Sequence, residues 1–312
     1  MRPAGALLLL VGAAASADEL RDSSIELGRW LADEVCSLPR PRVAVLLSGL
    51  VRTLHMPHVH RSIAHYAIDA LGAETQTFAD LKVNGTGRLG IESGADVGAA
   101  LRYLRPAKVR LDHPDSELNA RVFKCHGTLP ERTAPMHWIA SQWLSVKSAF
   151  ELMVEYEYER SMRFDAVLRL RTDDVWLAAT PPWCTFASLW ASERVAYAQL
   201  AGSDRQDYVG GLDWWIFVPR SIAEPVFTHV DEYTTACTKS KPVHSEKWLA
   251  ATLRREKIKL VRLQDMPRVI VYPHKDTARK FCKYVPAYLQ MDGLCSKLRY
   301  PPHAKFDGQT PR

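Results

Sequence analysis

Strand-like and helix-like segments alternate along most of this chain, which predicts an α/β protein with a mostly parallel central sheet flanked by helices. Three observations carry the expectation. Arg42–Leu47 is a continuous apolar run of strand length, the form of a parallel strand buried on both faces. Trp138–Glu159 is a long helix in which Ile139, Trp143, Val146, Phe150 and Met153 keep helical spacing. It leads through a short turn at Ser161–Arg163 into a second strand-like run, Phe164–Arg171. Strand, helix and strand in that order predict right-handed parallel crossovers. With 312 residues and 47% hydrophobic content, the chain can bury one full core. Residues 42–312 are read as a single domain, preceded by a helical segment over 18–41.

The first residues carry a targeting pattern. Arg2 precedes an apolar run from Ala4 to Val11, and Ala15-Ser16-Ala17 is a small-x-small cleavage site before Asp18. A bilayer span needs about 20 apolar residues, so residues 1–17 read as a cleavable signal peptide, and no later segment is apolar enough to span. Passage into the secretory pathway, to the lumen or outside the cell, would suit the six cysteines (Cys36, Cys125, Cys184, Cys237, Cys282, Cys295), an even set able to pair under oxidising conditions. Six cysteines allow fifteen pairings; Cys282 and Cys295 are near enough in the chain to form a local bridge. Asn84-Gly85-Thr86 is a glycosylation acceptor pattern in a Gly-rich stretch.

Charge is uneven. Residues 239–312 hold 17 Lys and Arg against 6 Asp and Glu, while residues 1–238 hold 24 against 29. The basic third suits a nucleotide diphosphate, an acidic glycan or an anionic membrane surface, and equally a solvated face. No nucleic-acid motif is present.

Ser24–Val35 has helical spacing at Ile25, Leu27, Trp30, Leu31 and Val35, expected to pack inward. After Pro39 and Pro41 comes the first strand, ending in Ser48-Gly49-Leu50-Val51-Arg52-Thr53. His55, His58 and His60 read as a polar loop leading to a helix over Ser62–Leu71 rather than as a metal site. Thr75–Ala79 and Lys108–Leu111 are strands on either side of a helix over Asp96–Leu104, and residues 113–135 are irregular. Glu151, Glu155 and Glu159 stack on the solvent face of the long helix. Val195–Ala198 and Ile216–Val218 are later strands, then a helix from His244, and strands over Lys259–Leu263 and Val269–Tyr272.

The second long strand is the informative one. Val167-Leu168-Arg169-Leu170-Arg171 alternates so that two arginines share a face, and it runs into Thr172-Asp173-Asp174. Adjacent carboxylates repel and need a cation, either a divalent metal or the preceding arginines. In open α/β sheets ligands bind beyond the carboxyl ends of strands, where this pair falls. A plain polar turn, its Asp side chains bonded to their own backbone, accounts for the same residues. As successive residues of an extended strand, Asp173 and Asp174 are expected to point to opposite sides, a poor pair for hydrolysis by two carboxylates. Farther on, Asp213 sits after Gly210-Gly211 and beside Trp214 and Trp215. Aromatic faces stack on sugar rings, and an apolar setting raises a carboxyl pKa, so Asp213 is the first candidate base for an acceptor hydroxyl. A turn Asp beside two core tryptophans is the plainer alternative.

Phe164-Asp165-Ala166-Val167-Leu168-Arg169-Leu170-Arg171-Thr172-Asp173-Asp174-Val175-Trp176 resembles a segment of GT-A-type glycosyltransferase-like proteins, including plant and algal relatives of lipopolysaccharide-synthesis transferases. The opening Ser48-Gly49-Leu50-Val51-Arg52-Thr53 and the stretch Gly210–Arg220 are similar to other parts of that family. The resemblance implies a GT-A-like, Rossmann-like fold and transfer of a sugar from a nucleotide-sugar donor to a glycan or protein hydroxyl. It further implies Mn²⁺ or Mg²⁺ held by an Asp-x-Asp motif; here Thr172-x-Asp174 stands in its place, with Asp173 between. On that reading Asp173, Asp174 and His274 are metal ligands. Ser48, Gly49, Arg52, Arg169 and Arg171 meet the donor, Gly49 by letting backbone N–H groups approach a phosphate and Arg52 by its fork of donors. Glu246, at a helix start, is the second candidate base. A lumenal binding module on the same fold, without catalysis, is the alternative that the missing first Asp favours.

Overall fold

The protein is described here by a computed structural model covering residues 17–51, 53–83, 94–112, 136–176, 179–190, 194–199, 214–231, 245–263 and 268–270. The strands are β1 (Arg42–Leu50), β2 (Glu74–Lys82), β3 (Lys108–Asp112), β4 (Ala166–Arg171), β5 (Asp174–Trp176), β6 (Val195–Gln199), β7 (Trp215–Pro219), β8 (Lys259–Leu263) and β9 (Arg268–Ile270). Seven of them form one sheet in the order β3-β2-β1-β4-β7-β6-β8, and β5 pairs with β9 in a second, small sheet. β1 lies parallel to β2 and β4, β2 parallel to β3, and β6 parallel to β8. Only β7 runs against the rest of the large sheet, antiparallel to both β4 and β6. The expected mostly parallel α/β sheet is therefore found.

β1 is central because its residues leave it no other place. Val43 to Leu47 are wholly buried, with Val43, Val45 and Leu47 on one face and Ala44 and Leu46 on the other. A buried Val or Leu side chain contributes about 1.5–3 kcal/mol, so a run apolar on both faces is driven under helices on both sides. Helix α1 (Ala17–Val35), α2 (Pro57–Ser62, continued by a π turn over Ile63–Ile68 and a 3₁₀ turn over Asp69–Leu71) and α3 (Gly94–Leu104) cover the first face. The long α4 (Met136–Glu159) covers the second. Farther along are α5 (Cys184–Trp190), α6 (Ala223–Phe227) and α7 (Ser245–Arg255); α5 packs on the first face, α6 and α7 on the second.

Two expectations are corrected. Helix α1 makes its closest packing through small residues; Ile25 and Leu27 are half-buried, and the large side chains after them are not. A Cβ on Gly28 would stand 1.9 Å from the backbone oxygen of Asp69, and one on Gly72 would stand 2.1 Å from the Cβ of Ala32. That close approach, reinforced by the buried Arg21–Asp69 ion pair, selects the Gly28–Ala32 side, and Trp30, Leu31 and Val35 turn outward. The second correction concerns the histidines. Instead of a loop, His58 and His60 lie in α2, which starts at Pro57, a residue suited to a first helical turn. The His60 ring is buried with Nδ1 2.9 Å from the Leu54 carbonyl, and burial lowers its pKa. The acidic row of α4 is solvent-facing as expected; Lys108 pairs with Glu155 and Glu159, and Lys147 with Glu151.

A disulfide joins Cys36, just past α1, to Cys184 at the start of α5, across 148 residues of chain. Cys125, Cys237, Cys282 and Cys295 lie outside the described residues, so the local Cys282–Cys295 bridge is untouched by this finding. Closing so long a loop stabilises by about 5 kcal/mol in the chain-entropy model. The double substitution Cys36→Ser, Cys184→Ser should therefore lower the melting temperature by roughly 10 °C; a melt unchanged from wild type would show that the bridge adds nothing. Gly28→Val should likewise cost about 1–3 kcal/mol by forcing α1 off the Asp69–Gly72 turn, a drop of several degrees in the same melt.

Two histidines, His65 half-buried and His229 buried, give the fold a pH dependence. The His65 ring, hydrogen-bonded to Ser24 through Nδ1 and 2.5 Å from the Tyr103 hydroxyl through Nε2, has its pKa lowered to about 4 by burial and then by Arg21 and Arg61. His229 stands edge-on between Trp143 and Trp248, with Nδ1–H donated to the Val226 carbonyl at 2.6 Å; burial lowers its pKa to about 4 as well. Both bind a proton more readily unfolded than folded. Their contribution is complete above about pH 6.5 and is lost as pH falls toward 4. Melting temperature should decline across that window, and His65→Gln should flatten part of the decline; an identical slope in the variant would remove His65 from the account.

Candidate functional site

The chain leaves β1 to build β2 and β3 on one side, then returns to place β4 on the other, so its direction reverses between β1 and β4. At such a switch point the loops after the two strands diverge and leave a crevice. The residues at those two strand ends are Ser48-Gly49-Leu50 and Arg171-Thr172-Asp173-Asp174. They touch: the Thr172 hydroxyl donates to the Leu50 carbonyl at 2.6 Å. Gly49 has φ +135°, a conformation that side chains rarely adopt, and a Cβ there would stand 3.2 Å from that same hydroxyl. Glycine is needed at this position for both reasons.

Parallel register places a row of polar side chains across the mouth of the sheet on the α4 face: Arg110, Asp80, Ser48 and Arg171, from β3, β2, β1 and β4 in turn. The arginine alternation of β4 is thus realised, Arg169 and Arg171 sharing the face covered by α4. Arg169 is buried one step deeper, its guanidinium 5.9 Å from the centre of the Trp143 ring. Ser48 is 2% exposed, and among the described residues its hydroxyl has no hydrogen-bond partner. A buried hydroxyl without a partner costs about 1–3 kcal/mol, which marks this end of β1 as a place where a further polar group belongs.

Asp80 was not singled out from the sequence. It is fully buried, accepting from Ser145 at 2.8 Å and Ser148 at 2.5 Å of α4, with Lys82 Nζ at 3.1 Å. Ser148 in turn accepts from Arg110 at 2.6 Å. The network ties α4 to the strand ends and keeps both Asp80 oxygens occupied. A lone carboxylate inside the apolar run Phe78-Ala79-Asp80-Leu81, near the end of its strand, was the signal available.

The acidic pair is arranged differently from expectation. β4 ends at Arg171 and β5 begins at Asp174, with a bend at Thr172 and Asp173. Because of that bend the two carboxylates do not diverge. The Arg171 fork binds Asp173 at 2.8 and 2.9 Å, and its Nε lies 4.0 Å from Asp174 Oδ1. Both Asp side chains are buried, and Asp174 enters the small sheet opposite Ile270. Two-carboxylate hydrolysis remains a poor fit for another reason: both oxygens of Asp173 are already held by the Arg171 guanidinium.

Glu246 lies in the first turn of α7, buried, on the α4 side of the sheet near Trp248. Arg52, Asp213 and His274 lie outside the described residues, as does the Asn84 acceptor pattern. Among the described residues no group of three or more His, Cys, Asp or Glu converges as a metal site, and no helix is long and apolar enough to cross a membrane. The fit to a divalent cation is therefore to a site with one or two carboxylates, which Mg²⁺-type ions accept when substrate phosphates supply further ligands.

No family model matches this chain, and no curated protein does either. Among solved structures, it is similar to a mannosyltransferase from Pyrobaculum calidifontis in complex with GDP-Man and Mn²⁺, at 11% identity and a TM-score of 0.40, over 85% of this chain and 70% of that one. It is also similar to a nucleoside-diphosphate-sugar pyrophosphorylase from Vibrio cholerae RC9, at 10% identity and a TM-score of 0.41, over 77% of this chain and 98% of that one. Likeness this distant carries no argument about activity.

Proposed function

We propose that this protein is a nucleotide-sugar-dependent glycosyltransferase of GT-A type, transferring a sugar to a hydroxyl of a glycan or protein. One observation carries the reading. Five of the residues singled out for donor binding and for metal, Ser48 and Gly49 at the end of β1 and Arg171, Asp173 and Asp174 around the β4–β5 bend, are brought together at the Thr172–Leu50 contact, across 122 positions of chain, at the topological switch point of the sheet.

In this reading the donor's diphosphate enters over Gly49, where the absent side chain allows close approach, and Arg171 offers it a planar fork of donors. Arg52 would add a second. Asp174, with Asp173, would hold Mn²⁺ or Mg²⁺, which when bound supplies Lewis-acid stabilisation of the leaving diphosphate. A carboxylate, Asp213 first and Glu246 second, would take the acceptor's proton. Passage through an oxidising compartment, the secretory pathway, is supported by the Cys36–Cys184 bridge and the N-terminal apolar run.

A second reading is a lumenal module that binds glycan or nucleotide without catalysis. It is favoured by the engagement of Asp173 by Arg171, which leaves that carboxylate occupied.

Asp174→Ala, purified and shown to be folded, should lose transfer or hydrolysis of a nucleotide-sugar panel by at least a hundredfold with Mn²⁺ present. Full activity in that variant would end Asp174's role. Calorimetry of wild type with UDP and GDP separates the two readings: binding strengthened by Mn²⁺ supports the transferase, and glycan binding without any nucleotide binding supports the module.

A further inference from the structure

Arg171 is more than a spectator beside the acidic pair. Its side chain projects from the last residue of β4 into the same row as Ser48 and Asp80, at the mouth of the sheet. It is mostly buried, with 15% of its side chain exposed, and Asp173 and Asp174 are more so, at 4% and 1%. Both Asp173 oxygens are taken by the fork, at 2.8 and 2.9 Å. A carboxylate bound bidentately by a guanidinium offers a metal neither its geometry nor its charge, since the cation would have to share the oxygens with a like charge. The neighbouring Ser48 hydroxyl, buried and without a hydrogen-bond partner among the described residues, is an independent sign that the row receives a polar ligand.

We propose that Arg171 is an exchangeable counter-ion. In the ligand-free protein it holds Asp173 and excludes a divalent cation; when a nucleoside diphosphate arrives, the guanidinium transfers from Asp173 to a phosphate, and the carboxylate is released to the cation travelling with that diphosphate. The exchange conserves charge pairing at each stage: one cationic fork moves from one anion to another, and the metal replaces it. Metal and nucleotide then bind with positive coupling, each favouring the state the other needs. The ligand named here rests on the transferase reading, while the role of Arg171 toward a cation stands on the carboxylate geometry alone.

The test is Mn²⁺ titration, read by electron paramagnetic resonance of the free ion, on the full chain with and without GDP or UDP. Wild type should bind Mn²⁺ weakly alone and at least tenfold more tightly with the nucleotide. Arg171→Gln should bind Mn²⁺ alone at least tenfold more tightly than wild type and lose most of the coupling. Arg171→Lys, which keeps the charge without the fork, should fall between the two, and it serves if the Gln variant does not fold. Arg171→Gln or Arg171→Lys, folded by thermal melt, with Mn²⁺ affinity equal to or below wild type would overturn the proposal. Absence of nucleotide binding in wild type would instead end the transferase reading, and the Mn²⁺-alone comparison would still decide the role of Arg171.

Discussion

Two carboxylates on consecutive residues, both withdrawn from water, carry a desolvation cost and a mutual repulsion that a fold accepts only beside positive charge. Here the charge comes from the last residue of β4, two positions before Asp173 in the chain. β4 delivers Arg171 to the face covered by α4, the bend at Thr172 turns the chain back, and the fork meets Asp173. Removing either partner would take a charge-paired contact out of a buried site, so the trio Arg171-Asp173-Asp174 behaves as a unit. The surrounding structure is what makes the unit possible: β1 holds β4 in register, and the Thr172 hydroxyl fastens the bend to the exit of β1.

The same logic recurs one strand pair away. Asp80 at the end of β2 is buried to the same degree but saturated, by two α4 serines and Lys82. Asp165, at the opposite end of β4, accepts from the backbone N–H of Arg42 and so aligns the starts of β1 and β4. Glu157 near the end of α4 is held by a bidentate Arg220 and by the backbone N–H of Phe164. Each of these carboxylates locks one element to another. The pair at the switch point differs in standing where the topology opens the sheet, which is why the proposed chemistry is assigned there and architecture to the others.

The first face of the sheet shows how packing overrides pattern. In α1, apolar spacing pointed Trp30, Leu31 and Val35 inward, yet Trp30 is 54% and Val35 68% exposed. Close approach of a helix to a turn is decided by the smallest side chains available, and Gly28, Ala32 and Gly72 let backbones meet where an indole could not fit. The Arg21–Asp69 pair and the Cys36–Cys184 bridge then fix the helix from both ends.

What the sequence by itself determined is what depends on near neighbours in the chain. The alternation of Val167 to Arg171 settles which side chains share a face, because successive residues of any strand point to opposite sides. The unbroken apolar run of β1 requires burial on both faces, and the 24-residue α4 announces itself by its stripe. Only the tertiary structure decided the reversed direction of β7, the pairing of Asp174 with β9, the partner of Cys36 and the saturation of Asp80, since each joins residues far apart in sequence. The convergence of Asp173 and Asp174 on one guanidinium belongs with them: a two-residue bend between strands changes where both carboxylates point, and whether a strand continues or bends is settled by the strands it pairs with.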